Sequence, residues 1–306
     1  MSRHDRATYL TYRGLAGALQ FLPRPVASWI ATAAGLIMLQ LWKGKRPLLR
    51  RNLRRVLGPD ASDATIERYV QRSFDSYAHY WVEAARVASI DDRPFGERWS
   101  AEGVEPLQAA VAEGRGVILA LPHLGNWEYG GRWLGENGLA MTAVAEPIEP
   151  PELFEWFVHQ RERLGLTILP LRRDTGATLV RVLREGKVVG LLADRDLAGD
   201  GVEVEFFGER TTLPAGPATL ALRTGALLAT CAVYHYPGDW HHGLINPPID
   251  CTRTGRLRAD VTRVTEQVAR ELEVLIRRAP EQWHMFQPNW PSDREVAGQE
   301  SPARAT

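Results

Sequence analysis

The chain has 306 residues, 44% of them hydrophobic and 24% charged, which excludes wholesale disorder and supplies a core for one large domain or two medium ones. Two cysteines, Cys231 and Cys251, exclude a disulfide framework, and no Cys-x-x-Cys pair offers a thiolate metal site. A reduced, cytosolic-side protein is expected. The net charge of zero hides an asymmetry. Residues 1–57 carry eleven Lys and Arg against the single acid Asp5, while the rest of the chain carries 26 basic and 36 acidic residues. Such a division gives the basic end a polyanion as its natural contact.

From Pro25 to Trp42 no residue is charged, and 18 helical residues reach about 27 Å, near the lower limit for a bilayer. Spanning the membrane and lying on it both remain open. The next segment, KGKRPLLRRNLRRVLG, interleaves Leu48, Leu49, Leu53, Val56 and Leu57 with Arg50, Arg51, Arg54 and Arg55. That make-up predicts a helix on anionic membrane lipids, apolar side down, with the four arginines among headgroups. An internal helix with solvated arginines is the plainer alternative. No RNA-binding aromatic signature or zinc finger supports a nucleic-acid partner.

Residues 63–90 predict a helix whose aromatics, Tyr69, Phe74, Tyr77, Tyr80 and Trp81, form a core-facing stripe. Beyond residue 100, candidate strands at 116–121, 141–145, 166–170 and 188–193 alternate with candidate helices at 126–136, 151–164 and 175–185. This rhythm predicts an α/β fold, a mostly parallel central sheet with helices on both faces. Later come an apolar run at 202–207, a helix at 215–224, a C-terminal hairpin from 227–236 and 240–249 across the Gly238-Asp239 turn, and a long helix at about 258–279. The expected organisation is basic, apolar membrane-associated helices over 1–60, an α/β domain over 61–290 and a frayed tail over 291–306.

Strand 116–121 runs into Pro122-His123-Leu124-Gly125-Asn126-Trp127-Glu128. A histidine at the carboxyl end of a parallel strand stands where open α/β sheets place ligands. Asn126 suits the N-cap of the next helix, which puts Glu128 in its first turn. The chain can then fold back so that the carboxylate meets one imidazole nitrogen and makes the other a better base. A capping histidine beside an unrelated acid is the alternative. Glu146, and Asp194-Arg195-Asp196, follow other strand ends and gather at the same sheet edge. Arg161, late in helix 151–164, is a further cation for a phosphate or a developing oxyanion.

No serine occurs between Ser100 and Ser292, so a His-activated serine cannot come from the sheet, and no Gly-x-Ser-x-Gly elbow exists. Cys231 lies in an apolar strand, where a thiol is inert packing. The target of His123 is then a substrate hydroxyl. His241 and His242 point to opposite faces of a strand, so a shared metal is not expected. Trp283, His284, Pro288 and Trp290 read as packing of a chain end.

His123-x4-Glu128, within LPHLGNWE, resembles the H-x4-[D/E] motif of the glycerolipid and lipid A late acyltransferases. The likeness covers roughly residues 45–290, including DRDLAGDGVEVEFFGERTTLPAGPATLA (194–221) and PEQWHMFQPNW (280–290). The ending MFQPNW, with no basic cluster after it, is closer to the actinobacterial phosphatidylinositol mannoside acyltransferases. The resemblance implies transfer of a fatty acyl group from acyl-CoA to a mannose hydroxyl of a glycolipid acceptor, at the cytoplasmic face of the plasma membrane, with no metal or other cofactor. It implies His123 as general base, Glu128 as its orienting partner and Asp194 as a second acid where Glu is often found. Asn126, Glu146, Arg161 and Arg195 are expected to line the substrate site. The competing readings are a lipid A-type or lysophospholipid acyltransferase, a thioesterase in which water replaces the sugar, and a non-catalytic lipid-binding module.

Overall fold

A computed structural model of the chain describes residues 3–89, 95–172, 174–197 and 199–293. Its centre is a seven-stranded sheet of order β1-β9-β8-β2-β5-β3-β4. Strands β2 (Val117–Leu121), β3 (Met141–Ala145), β4 (Thr167–Pro170) and β5 (Val188–Leu192) lie within a residue of their expected bounds and pair in parallel. β8 (Leu227–Tyr236) continues this parallel set beside β2. β9 (Trp240–Ile245) returns antiparallel to β8 as the predicted hairpin and stops before Pro247-Pro248, which cannot donate to a ladder. The edge strand β1 (Trp99–Glu102), not foreseen from the sequence, pairs in parallel with β9. The 202–207 run does not join the sheet. It forms β6 (Val202–Phe206), paired only with β7 (Glu209–Leu213) in a separate antiparallel hairpin.

Every residue of β2 is buried because helices cover both faces of the sheet. On one side Ile118 and Ala120 pack with α8 (Thr175–Arg184), α9 (Gly216–Thr224) and α10 (Leu257–Arg278). On the other, Val117, Leu119 and Leu121 pack with α5 (Glu105–Ala112) and α6 (Trp127–Glu136), near α7 (Pro151–Glu162). The expected α/β architecture is therefore present.

At the basic end, α1 (Arg3–Phe21) and α2 (Arg24–Leu41) pack on α4 (Asp63–Arg86), whose N-cap is Ser62. The uncharged segment is two-sided. Ala27, Ala31 and Gly35 face inward, and a Cβ at Gly35 would stand only 2.8 Å from the Asp75 Cα, so α2 approaches α4 backbone to backbone. Trp29, Leu36, Ile37 and Leu41 face outward and are exposed. Among the described residues no single helix is long and apolar enough to cross a membrane. α2 and the following Lys43–Leu57 stretch pass that test only together, bent by 80°.

The arginine helix, α3 (Arg46–Leu57), differs from the expectation in its apolar side. Its apolar side, Leu49, Leu53 and Val56, is buried in the protein core and is not free to enter lipid. Its arginines hold carboxylates of this chain. Arg50 pairs with Glu67, Arg54 with Asp63 at 2.5 Å and Arg51 with Asp293 at 3.0 Å. Arg55 reaches Glu209 at 2.7 Å and Asp293 at 3.0 Å while stacking over the Trp290 ring. Asp293 is itself buried and accepts the backbone N–H groups of Asn289 and Trp290, so Pro291–Asp293 belongs to the fold and not to a frayed tail. Residues 294–306 of that expected tail lie outside the described residues.

Candidate active site

β2 and β5 are neighbours with Leu121 opposite Leu192, and the Ala193 N–H continues the ladder to the Leu121 carbonyl at 2.8 Å. The next residues off the two carboxyl ends are therefore brought together, and these include His123 and Asp194. His123 Nδ1 lies 2.6 Å from Asp194 Oδ1, and the His123 backbone N–H donates to Oδ2 at 2.9 Å. The Trp283 indole N–H donates to the same Oδ2 at 2.8 Å, and the Asn289 side-chain amide donates to the Asp194 carbonyl at 2.9 Å. Asp194 is wholly buried, whereas 30% of the His123 side chain is exposed.

Burial works against the Asp194 charge. The His123 imidazole, the Trp283 indole N–H and the His123 backbone N–H outweigh it and hold this carboxyl below its ordinary range. An ionised carboxylate only accepts, so Nδ1 is the donor in this pair, and in a neutral ring that leaves Nε2 as the acceptor.

The turn that carries His123 is fixed by the C-terminal segment. Gln282 O accepts from the Gly125 N–H at 2.9 Å, His123 O accepts from the His284 N–H at 2.8 Å, and Val233 O accepts from the Asn126 N–H at 3.0 Å. Gly125 has φ of 59°, and a Cβ there would overlap the Val233 carbonyl oxygen, so this turn admits only glycine.

Glu128 does not meet His123. It lies in the first turn of α6, where it forms a two-pronged pair with Arg161 of α7, at 3.0 Å to Nε and 2.9 Å to Nη2. Arg161 also lies over the Trp127 ring, 4.5 Å from its centroid. The acid beside the imidazole is Asp194, 71 residues away in the chain, and the H-x4-E spacing supplies a brace between α6 and α7 instead.

Asn126 is likewise not where the sequence puts it. It makes no side-chain cap, is fully buried, and donates to Glu83 Oε2 at 2.9 Å. Glu83 also lies 3.2 Å from His241 Nε2, and burial, which opposes its charge, is outweighed by the His241 imidazole, so this carboxyl is held well down. His241 points inward against Tyr129, while His242 faces Ser100 on the other side of the strand. Cys231 is buried and its thiol is pushed up to about 12, which suits packing.

His123, Glu146, Arg161 and Arg195 line one cavity of about 750 Å³, within the ordinary range for ligand pockets. Glu146 is exposed at its rim, 3.9 Å from the Arg195 guanidinium. The cavity takes its lining from both faces of the sheet, which divides it into two parts, or lobes. One, on the α6 and α7 side, is walled by Met141, Ala143, Phe154, Phe157 and Ile168. The other runs between α8 and α9, past Gly176, Leu179, Thr219 and Leu220. Trp283 and Asn289 were missed as site residues. The string PEQWHMFQPNW was conspicuous in sequence, but only the fold shows that it reaches the acid.

An α/β sheet edge that presents a carboxylate-held imidazole beside a lipid-sized cavity defines an acyltransferase when set beside the known proteins this chain matches. The chain belongs to the bacterial lipid A biosynthesis acyltransferase family, whose match extends over residues 3–292 and so takes in the N-terminal helices. It is 40% identical over 248 residues to the phosphatidylinositol mannoside acyltransferase of Mycolicibacterium smegmatis, covering 80% of this chain and 79% of that one. Its likeness to the protein of the same name from Mycobacterium tuberculosis is 39% over 250 residues, 80% of this chain and 77% of that one. A lipid A biosynthesis palmitoleoyltransferase of Escherichia coli is 26% identical over 283 residues, 90% of this chain and 89% of its own.

Proposed function

We propose that the protein transfers a fatty acyl group from acyl-CoA to a mannose hydroxyl of a phosphatidylinositol mannoside. The observation that carries this reading is the 2.6 Å pair between His123 Nδ1 and buried Asp194, with the other face of the ring open to the cavity. The mannoside acceptor is favoured by the 40% and 39% relatives of that name over the 26% lipid A relative.

His123 Nε2 takes the proton of the sugar hydroxyl as its oxygen attacks the thioester carbonyl, and Asp194 balances the imidazolium that forms. The same Nε2 proton then passes to the departing thiolate as the carbonyl re-forms, so the enzyme ends unchanged. Arg195, next in the chain to Asp194 and mostly buried at the cavity wall, is the cation placed to balance the oxyanion. The acyl chain takes the apolar lobe on the α6 and α7 side. Arg161, held by Glu128, keeps that wall in position.

The membrane contact of this reading is the outward face of α1 and α2, where Leu15, Phe21, Trp29, Ile37 and Leu41 are exposed, at the cytoplasmic surface of the plasma membrane. The reading is tested by incubating the protein with labelled palmitoyl-CoA and a set of glycolipids. Label should enter the mannoside, and His123→Ala should lower the rate about 10²–10⁴-fold, the usual contribution of a general base. Label released mainly as free fatty acid with acceptor present would make the protein a thioesterase. Near-full transfer by His123→Ala would refute the base.

A further inference from the structure

The lobe between α8 and α9 contains two arginines that the mechanism does not use. Arg172 sits in the turn between β4 and α8. Its backbone N–H donates to Thr175 Oγ1 at 2.9 Å, and that hydroxyl donates to the Pro170 carbonyl at 2.8 Å, so the turn is tied at both ends. Arg223 lies on the cavity-facing stripe of α9, in helical step with Gly216, Thr219 and Leu220. Both residues are exposed, and both line the same cavity as His123.

The other cavity arginines face carboxylates, Arg161 with Glu128 at 2.9 Å and Arg195 with Glu146 at 3.9 Å. The guanidinium groups of Arg172 and Arg223 meet no hydrogen-bonding or ion-pair partner among the described residues. The remaining carboxylates of the wall do not neutralise them. Asp196 accepts the backbone N–H groups of Gly199 and Gly201, and Asp200 is exposed.

We propose that Arg172 and Arg223 recognise the phosphates on the carrier arm of the thioester donor, a specificity subsite that rests on the acyl-transfer reading above. His123, just past the end of β2, lines the cavity at the sheet edge between the two faces. If the thioester carbonyl stands at the imidazole with its chain in the apolar lobe, the thiol side of the donor must leave along the other lobe. That lobe is partly polar where Thr175, Gly176, Gly216 and Thr219 line it, which suits an amide-containing arm. Coenzyme A carries a pyrophosphate and a 3′-phosphate beyond that arm, and a guanidinium matches a phosphate through paired N–H donors.

A phosphodiester on the acceptor is the other source of the same chemistry. Its phosphate sits beside its own glycerol and so stays near the lipid-facing helices. α1 and α2 pack against α4 and α7, as Tyr12 does against Phe157. Arg172 and Arg223 belong to the lobe on the opposite face of the sheet, which favours the donor.

The test compares wild type, the double variant Arg172→Gln/Arg223→Gln and the double Lys variant. Calorimetric titration with CoA and with phosphate-free pantetheine is run beside KM for palmitoyl-CoA, S-palmitoyl-N-acetylcysteamine and the acceptor. The Gln pair should lose about tenfold in CoA affinity and raise KM for palmitoyl-CoA to match, with Lys restoring part of it. Pantetheine binding and KM for the phosphate-free thioester and the acceptor should not move. Unchanged CoA affinity overturns the proposal, as does an equal loss on the phosphate-free thioester. A rise confined to KM for the acceptor assigns the arginines to the acceptor phosphate and overturns it as well. CoA binding that depends on these arginines, in a protein that transfers no acyl group, would instead fault the transfer reading and leave the subsite standing.

Discussion

The indole N–H of Trp283 and the carboxylate of Asp194, 89 residues apart, are joined by a 2.8 Å hydrogen bond inside the core, on the carboxyl that also holds His123. Asp194 thus receives donors from two sides of the molecule. Trp283→Phe keeps the ring and removes one donor, which raises the Asp194 carboxyl. The acid limb of the kcat/KM profile should move to higher pH, and kcat should fall about tenfold, the worth of one charge-assisted hydrogen bond. A profile superimposable on wild type would show that the indole only packs.

The two acids near the site should fail in different ways. Asp194→Asn leaves the fold nearly intact and removes the ionised partner of His123, so transfer falls with the base, by about 10²–10⁴-fold. Glu128→Gln leaves Arg161 without its carboxylate in a mostly buried place, so stability falls by about 3 kcal/mol while the pH profile keeps its shape. Denaturant unfolding and rate measurements on the same preparations separate the two. The idea is lost if Glu128→Gln changes the profile and Asp194→Asn does not.

His284 packs on the Tyr77 and Tyr80 rings with Nε2 3.0 Å from Ser76 Oγ, and burial together with the charges of His235 and His123 pushes it down to about 3. Its unfolded counterpart titrates near 6.5. Between these values the unfolded chain binds a proton that the folded chain refuses, so stability falls as pH drops from about 6.5 toward 3. The slope for this one group approaches about 1.4 kcal/mol per pH unit. His235, lowered by burial, acts in the same direction. His284→Gln should lose less stability between pH 7 and pH 5 than wild type does, as read by urea unfolding at each pH. An equal loss in both proteins would remove His284 from the account.

Binding to lipid vesicles should depend on α2 rather than on the arginine helix. Replacing Trp29, Ile37 and Leu41 with Ser removes large exposed apolar surface and should weaken partitioning at least about tenfold. Arg50→Gln and Arg54→Gln break solvent-exposed pairs and should change it little. Sedimentation with vesicles of mixed zwitterionic and anionic lipid checks both arms. The opposite ranking would return the contact to α3.

Local pattern made the sheet legible. β2, β3 and β5 were placed almost to the residue because short apolar runs bounded by glycine and charge have few other uses. β1 and β7 were not seen. WSAE and ERTTL alternate in burial over only four and five residues and are chosen by their partners, β9 and β6. The acid of His123 was sought within its own motif, yet strand pairing across β2 and β5 decides which carboxylate arrives, and no spacing within residues 122–128 encodes that. The arginines of α3 were read as lipid-facing for the same reason. Their charge is plain in sequence, but the partners of Arg51 and Arg55, Glu209 and Asp293, lie more than 150 residues further along the chain.

Because Trp283 and Asn289 complete the environment of Asp194, and Asp293 closes the arginine knot on α3, the imidazole's surroundings are assembled from residues translated long after it. A nascent chain halted before Trp283 already contains His123, its turn and its acid, but one of the three donors to the carboxylate, and the amide on the Asp194 carbonyl, do not yet exist. The arrangement that the proposed chemistry needs is therefore complete only once residues 283–293 have been made.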